Sequence, residues 1–147
     1  MTIDTIFILL FGLTALSTFF IALRKCKSHE GRVGKPYKVC ELYGSFLWMD
    51  HIVLAPFWVI ISFGTIILND SLLFLLILST FWLIRSIGET IYWFLQQFHP
   101  RPGNEPEKFW ISKLAPGQGV WFLNQLFWQC VSVLTLISTV YLFSLWL

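Results

Sequence analysis

What this sequence has least of is charge. Asp, Glu, Lys and Arg make up 12% of its 147 residues, about half the ~25% of an ordinary soluble domain. A soluble fold covers its surface with those side chains, so a water-soluble enzyme and a nucleic-acid-binding domain both fit poorly. A disordered segment fits no better, because such segments are poor in apolar residues. Histidine and cysteine are scarce too, at three of each. Three histidines cannot build the histidine clusters of a membrane di-iron enzyme. The cysteines, Cys26, Cys40 and Cys130, include no C-x-x-C pair, which removes a dithiol redox motif. There is no Gly-rich phosphate loop, no G-x-S-x-G and no H-E-x-x-H.

Hydrocarbon takes the place of what is missing. The chain is 56% hydrophobic and 18% aromatic, with a mean hydropathy of +0.71. Four apolar runs, 6–23, 46–68, 72–98 and 120–147, each approach or exceed the ~18–20 residues that cross a bilayer as helix. A barrel needs many short alternating segments, and these runs are few, long and continuous. The expected fold is all-α: four transmembrane helices in an up-down bundle, forming a single integral membrane domain over residues 1–147. The two halves, 1–68 and 72–147, share a helix–loop–helix plan without a residue-level match, so common hairpin topology explains the echo.

Basic residues orient the bundle. Arg24, Lys25, Lys27, Arg32, Lys35 and Lys38 fall in segment 24–44, and Arg101, Lys108 and Lys113 fall in segment 99–119. The N-terminal tail, the Asn69-Asp70-Ser71 turn and the C-terminal end carry none. By the positive-inside rule both long loops are cytoplasmic and both termini extracytoplasmic. The first span lacks a basic n-region and is followed by Arg24-Lys25, which reads as a retained anchor and not a cleaved signal. Small size and the lack of a targeting segment lead us to expect a plasma membrane, specifically a prokaryotic inner membrane.

Polar residues inside the spans carry the functional reading, since each needs a partner in lipid. Arg85, Glu89, Tyr92, Gln96 and His99 follow at helical spacing and form one stripe on the third span. Asp50 and His51 head a looser line with Trp58, Ser62 and Thr65 on the second. Gln125, Gln129, Ser132 and Thr139 do the same on the fourth, with Asn124 beside Gln125 near its cytoplasmic start. The expectation is that spans two, three and four turn these stripes toward each other around a cytoplasm-facing pocket, while span one offers a close-packing face. Arg85 and Glu89, at i,i+4, either neutralise each other or line that cavity. Trp82, three residues from Arg85, and Trp128, beside Gln129, are candidate walls; Trp48, Trp93, Trp110, Trp121 and Trp146 read as an interfacial belt. Pro56 is expected to kink span two.

The candidate ligand-binding set is therefore Arg85, Glu89, Asp50, His51, Tyr92, Gln96, Asn124, Gln125, Gln129, Trp82 and Trp128. Acid–base chemistry would fall to Asp50, His51 and Glu89, but nothing supplies a nucleophile. Cys26, His29 and Cys40 are the nearest approach to a metal site and lack a second close ligand pair. His51 and His99 differ in depth, which argues against haem, and no cofactor is expected. Expected partners are membrane lipids, a small amphiphile, and a homo-oligomer or larger membrane complex; no nucleic acid is expected. The favoured function is non-catalytic, binding or passing a small amphiphile or serving as a module of a larger assembly. The alternatives are a membrane enzyme acting on a lipid-like substrate and a purely structural subunit.

Overall fold

A computed structural model describes residues 3–27, 36–98 and 119–147. Among them the chain is all-helical: α1 (Ile3–Lys27), α2 (Lys38–Glu41), α3 (Trp48–Ile67), α4 (Ser71–Gln96) and α5 (Gly119–Trp146). Helices α1, α3, α4 and α5, of 25, 20, 26 and 28 residues, are long and apolar enough to cross a membrane. Their ends fall within a few residues of the four apolar runs. The first differs most, because α1 continues through Arg24, Lys25 and Lys27 in its last turn, where cations complement the helix dipole.

Two compact units divide the chain, residues 1–75 and 76–147. In the first, α1 and α3 pack antiparallel. The buried residues of α3, Trp48, His51, Ala55, Trp58, Ser62 and Thr65, recur at spacings of 3, 4, 3, 4 and 3, the period of a left-handed helix pair. Those of α1 are Ile8, Gly12, Ala15, Thr18 and Ala22, all but Ile8 small residues that let two backbones come close. The closest approach is at Gly12, where an added Cβ would stand 2.8 Å from Ser62 Cβ. Helix α3 runs unbroken across Pro56.

The turn between α3 and α4 follows the expected Asn/Asp chemistry. Asn69 takes a left-handed conformation, with φ of 53°. The Asn69 and Asp70 amides return to the Ile66 and Thr65 carbonyls at 3.0 Å each, which closes α3 with a Schellman motif. Asp70 Oδ1 then accepts from the Leu73 amide at 2.9 Å and caps α4.

One part of the first unit departs from the expectation of a plain connection over 24–44. Residues 36–47 form a return segment that folds back against α1 and α3. Its turn is a second Schellman closure, with Ser45 N on Cys40 O at 3.1 Å and Gly44 N on Glu41 O at 2.9 Å. Gly44, with φ of 74°, sits where a side chain would be strained. Tyr43 and Ser45 are buried beside it. Cys40 packs with Ala22 and Trp48 at the base.

In the second unit α4 and α5 are also antiparallel. Trp93 stacks on Trp121 at 5.5 Å, Ser132 Oγ donates to Ser86 Oγ at 2.9 Å, and Ser79 Oγ pairs with Thr139 Oγ1 at 2.9 Å.

The Gly12–Ser62 contact generates a paired prediction. Gly12→Ala should destabilise the protein by about 1–3 kcal/mol, the cost of overpacking, and Ser62→Gly should restore most of that loss. Thermal unfolding of the single and double variants in detergent checks both.

Candidate functional site

Two groups of polar residues emerge, one in each unit. In the first, His51 is fully buried and both its ring nitrogens are engaged: Nδ1 with Ser45 Oγ at 2.9 Å and Nε2 with Thr18 Oγ1 at 2.7 Å. One imidazole thus ties α3 to the return segment on one side and to α1 on the other. Span one therefore contributes more than a close-packing face, because Thr18 supplies a polar contact to His51. Asp50, one residue earlier, does different work. Its Oδ2 accepts from the Phe46 and Leu47 amides at 3.3 and 3.2 Å, binding backbone donors at the start of α3.

Above that bridge the segment is pinned by aromatic groups. Tyr43 donates its hydroxyl to the Phe11 carbonyl at 3.1 Å, and Trp58 Nε1 donates to the Tyr43 carbonyl at 3.1 Å. Phe11 lies 4.6 Å from the Tyr43 ring and 5.4 Å from Trp58. Phe74, in the first turn of α4, closes the cluster at 5.5 Å from Phe11. Phe11 is about 20 Å along α1 from Arg24, so the segment reaches far up the helix pair. Irregular backbone inside a membrane needs its polar groups met by protein, and the Tyr43 and Phe11 carbonyls are met in this way.

The second unit holds the charged pair. Arg85 Nη2 lies 3.1 Å from Glu89 Oε1, with side chains 31% and 14% exposed. The pair does not lie in the α4–α5 seam. The seam on α4 is Ser79, Ser86, Trp93 and Gln97, and its counterpart on α5 is Trp121, Gln125, Ser132 and Thr139. Gln97 Nε2 donates to Gln125 Oε1 at 2.6 Å. Arg85, Tyr92 and Gln96 each stand one residue before a seam residue on α4, hence about 100° round the helix from the seam, and Glu89 lies between them and the seam, about 40–60° from it. Gln96 Oε1 is buried without a hydrogen-bond partner among the described residues.

The remaining candidates separate. Asn124 Nδ2 donates to the Val120 carbonyl of its own helix at 2.9 Å. Gln125 joins the seam, whereas Gln129 is exposed and off it. Trp82 and Trp128 meet their sequence neighbours Phe81 and Phe127 edge-on at 6.2 and 5.4 Å. Trp48, Trp93 and Trp121 are buried in packing contacts and are not belt residues in contact with lipid; Trp146 is exposed. Cys26 packs against the cluster that contains Cys40. The proposed third metal ligand, His29, lies outside the described residues, as do His99 and Trp110. Among the described residues no group of three His, Cys, Asp or Glu side chains is placed to hold a metal ion.

Sequence reasoning missed Thr18, Tyr43 and Ser45. The available signals were the Gly44-Ser45 turn pair and a Tyr placed just before it. Comparison with models of known families, with curated proteins and with solved structures matched the chain to none of them.

Two outcomes follow from the first unit. Thr18→Val leaves His51 Nε2 without its hydroxyl and should cost about 1–3 kcal/mol, the penalty of an unmet buried polar group, whereas Thr18→Ser should remain near wild type by thermal unfolding. The return segment can be followed through Cys40, whose thiol is pushed up by burial, with Glu41 adding to the effect and the hydrogen bond at Tyr37 opposing it. A raised thiol favours the folded state fully below its ordinary value, and that contribution is lost as pH rises through the raised one. Maleimide labelling of Cys40 should therefore be slow near neutrality and accelerate in alkali. Trp58→Phe should speed it about tenfold at neutral pH by releasing the Tyr43 carbonyl.

Proposed function

We propose that the chain is a non-catalytic multi-pass protein of the plasma membrane that binds an amphiphile with an anionic head, reached from the cytoplasmic leaflet. In this reading the four spans form an up-down bundle with both termini outside. The antiparallel packing within each unit and the basic residues of segments 24–44 and 99–119 support that arrangement.

The observation that carries the proposal is the position of the Arg85–Glu89 pair beside the α4–α5 seam, with Arg85 still 31% exposed. A pair that served to fasten α4 to α5 would lie between them, and there the fastening is done by Ser, Thr, Gln and Trp side chains. A guanidinium presents five N–H donors in a planar fork, a geometry that matches an anionic headgroup. The Gln96 carbonyl on the same stripe can accept from a headgroup hydroxyl or amine. Tyr92, exposed on that stripe, offers an aromatic edge to the chain below the head.

The enzymatic alternative needs Asp50, His51 and Glu89 to act on one substrate. The capping role of Asp50 and the double engagement of His51 weigh against it. A purely structural role draws support from the first unit, where the imidazole bridge and the aromatic pins all serve packing.

The test uses the full chain in nanodiscs with a fluorescent phosphatidic acid as probe and the matching phosphatidylcholine as control. Arg85→Met with Glu89→Gln removes both charges together, because removing one would strand the other. The expected result is about a tenfold loss of preference for the anionic probe, with the unfolding midpoint moved by less than about 4 °C. Unchanged preference overturns the reading, and collapse of the fold transfers the pair to a structural role.

A further inference from the structure

We propose that α5 is a self-association helix, along which two copies of this chain pair in parallel. The inference is independent of amphiphile binding. It starts from the exposed side of α5, where Phe122, Leu126, Gln129, Val133, Leu136 and Val140 are all exposed. Their spacings are 4, 3, 4, 3 and 4, and the same alternation continues toward the C-terminal end. That is an unbroken 3.5-residue repeat, the period that keeps one seam of a helix facing another in a left-handed crossing.

The stripe is distinct from the contact with α4. The α5 residues of that contact, Trp121, Gln125, Ser132 and Thr139, lie about 80° round the helix from it. The helix thus carries two periodic faces, one of which is occupied by α4.

Gln129 identifies the occupant of the other. It lies about 15 Å into α5, where an amide facing acyl chains is costly. Two other polar side chains on the exposed side are satisfied by their own helix: Ser138 donates to the Leu134 carbonyl at 2.9 Å and Ser144 to the Tyr141 carbonyl at 2.7 Å. The Gln129 amide has no such bond among the described residues. An amide is both donor and acceptor, so it is complementary to itself. Two copies inserted in the same direction and related by a two-fold axis along the membrane normal bring Gln129 to the same depth in each. The two amides can then bond across the axis, flanked by apolar side chains above and below. A single polar residue in an otherwise apolar seam also fixes register, as a lone Asn does in a coiled coil.

The experiment is disulfide mapping of the full-length chain in liposomes, on a Cys26→Ser/Cys130→Ser background. Single substitutions Val133→Cys, Leu136→Cys and Val140→Cys lie on the stripe; Leu134→Cys, Ile137→Cys and Tyr141→Cys are exposed controls off it. With copper phenanthroline the stripe positions are expected to give dimer several-fold faster than the controls. Equal rates at all six positions, meaning random collision, or no dimer at any of them, meaning a different partner, would overturn the proposal. A second readout keeps the amide separate from the mapping. Gln129→Leu should weaken the dimer about three- to tenfold by single-molecule photobleaching across a dilution series, and an unchanged dimer would overturn the role given to Gln129.

Discussion

A single imidazole holds three pieces of backbone in place. With Thr18 on one nitrogen and Ser45 on the other, His51 fixes the rotation of α3 against α1 and the position of the return segment between them. Removing either hydroxyl leaves a polar ring atom buried among apolar neighbours, a situation that folded proteins avoid because the lost hydration is not replaced. Once the ring is held, the heptad line from His51 to Thr65 faces the small residues of α1, and Gly12 meets Ser62. The aromatic cluster above then has a fixed floor on which Tyr43, Phe11 and Trp58 assemble.

The second unit solves the same problem by other means. Among the described residues its seam has no imidazole bridge; it is a ladder of paired hydroxyls and amides with a tryptophan stack. Such pairs suit helices that meet in lipid, where close packing and short polar side chains replace the hydrophobic drive available in water. The ladder leaves the adjacent stripe of α4 out of the seam. That is why the Arg85–Glu89 pair can be charged and partly exposed while α4 and α5 stay joined.

The fold was largely legible in the sequence. Length and apolarity located all four long helices, since a bilayer-crossing helix announces itself in composition, and Asn69-Asp70-Ser71 named its own turn. Helical spacing also picked out real lines: His51, Trp58, Ser62 and Thr65 share a buried face, and Gln125, Ser132 and Thr139 share a seam. It could not say which helix each line faces. His51 turns to α1 because Thr18, an ordinary hydroxyl among many, lies at the matching depth, a relation of three-dimensional register that periodicity does not encode. Asp50 illustrates a different limit. One residue from His51, it looked like a partner in chemistry, yet its place in the first turn of α3 commits its carboxylate to the Phe46 and Leu47 amides. The return segment was hidden because its basic neighbours imitate a surface loop, while the groups that hold it come from residues as far off as Phe11 and Trp58.

That segment also imposes an order on biogenesis. Residues 36–47 leave the ribosome after α1 but before Trp58, whose indole holds the Tyr43 carbonyl. Until α3 has entered the bilayer, the tip around Gly44 has one wall in place and lacks the other. A nascent chain must hold those residues without their second wall until α3 has been made. The seating of a dozen residues thereby becomes a late event in the insertion of the protein's first half.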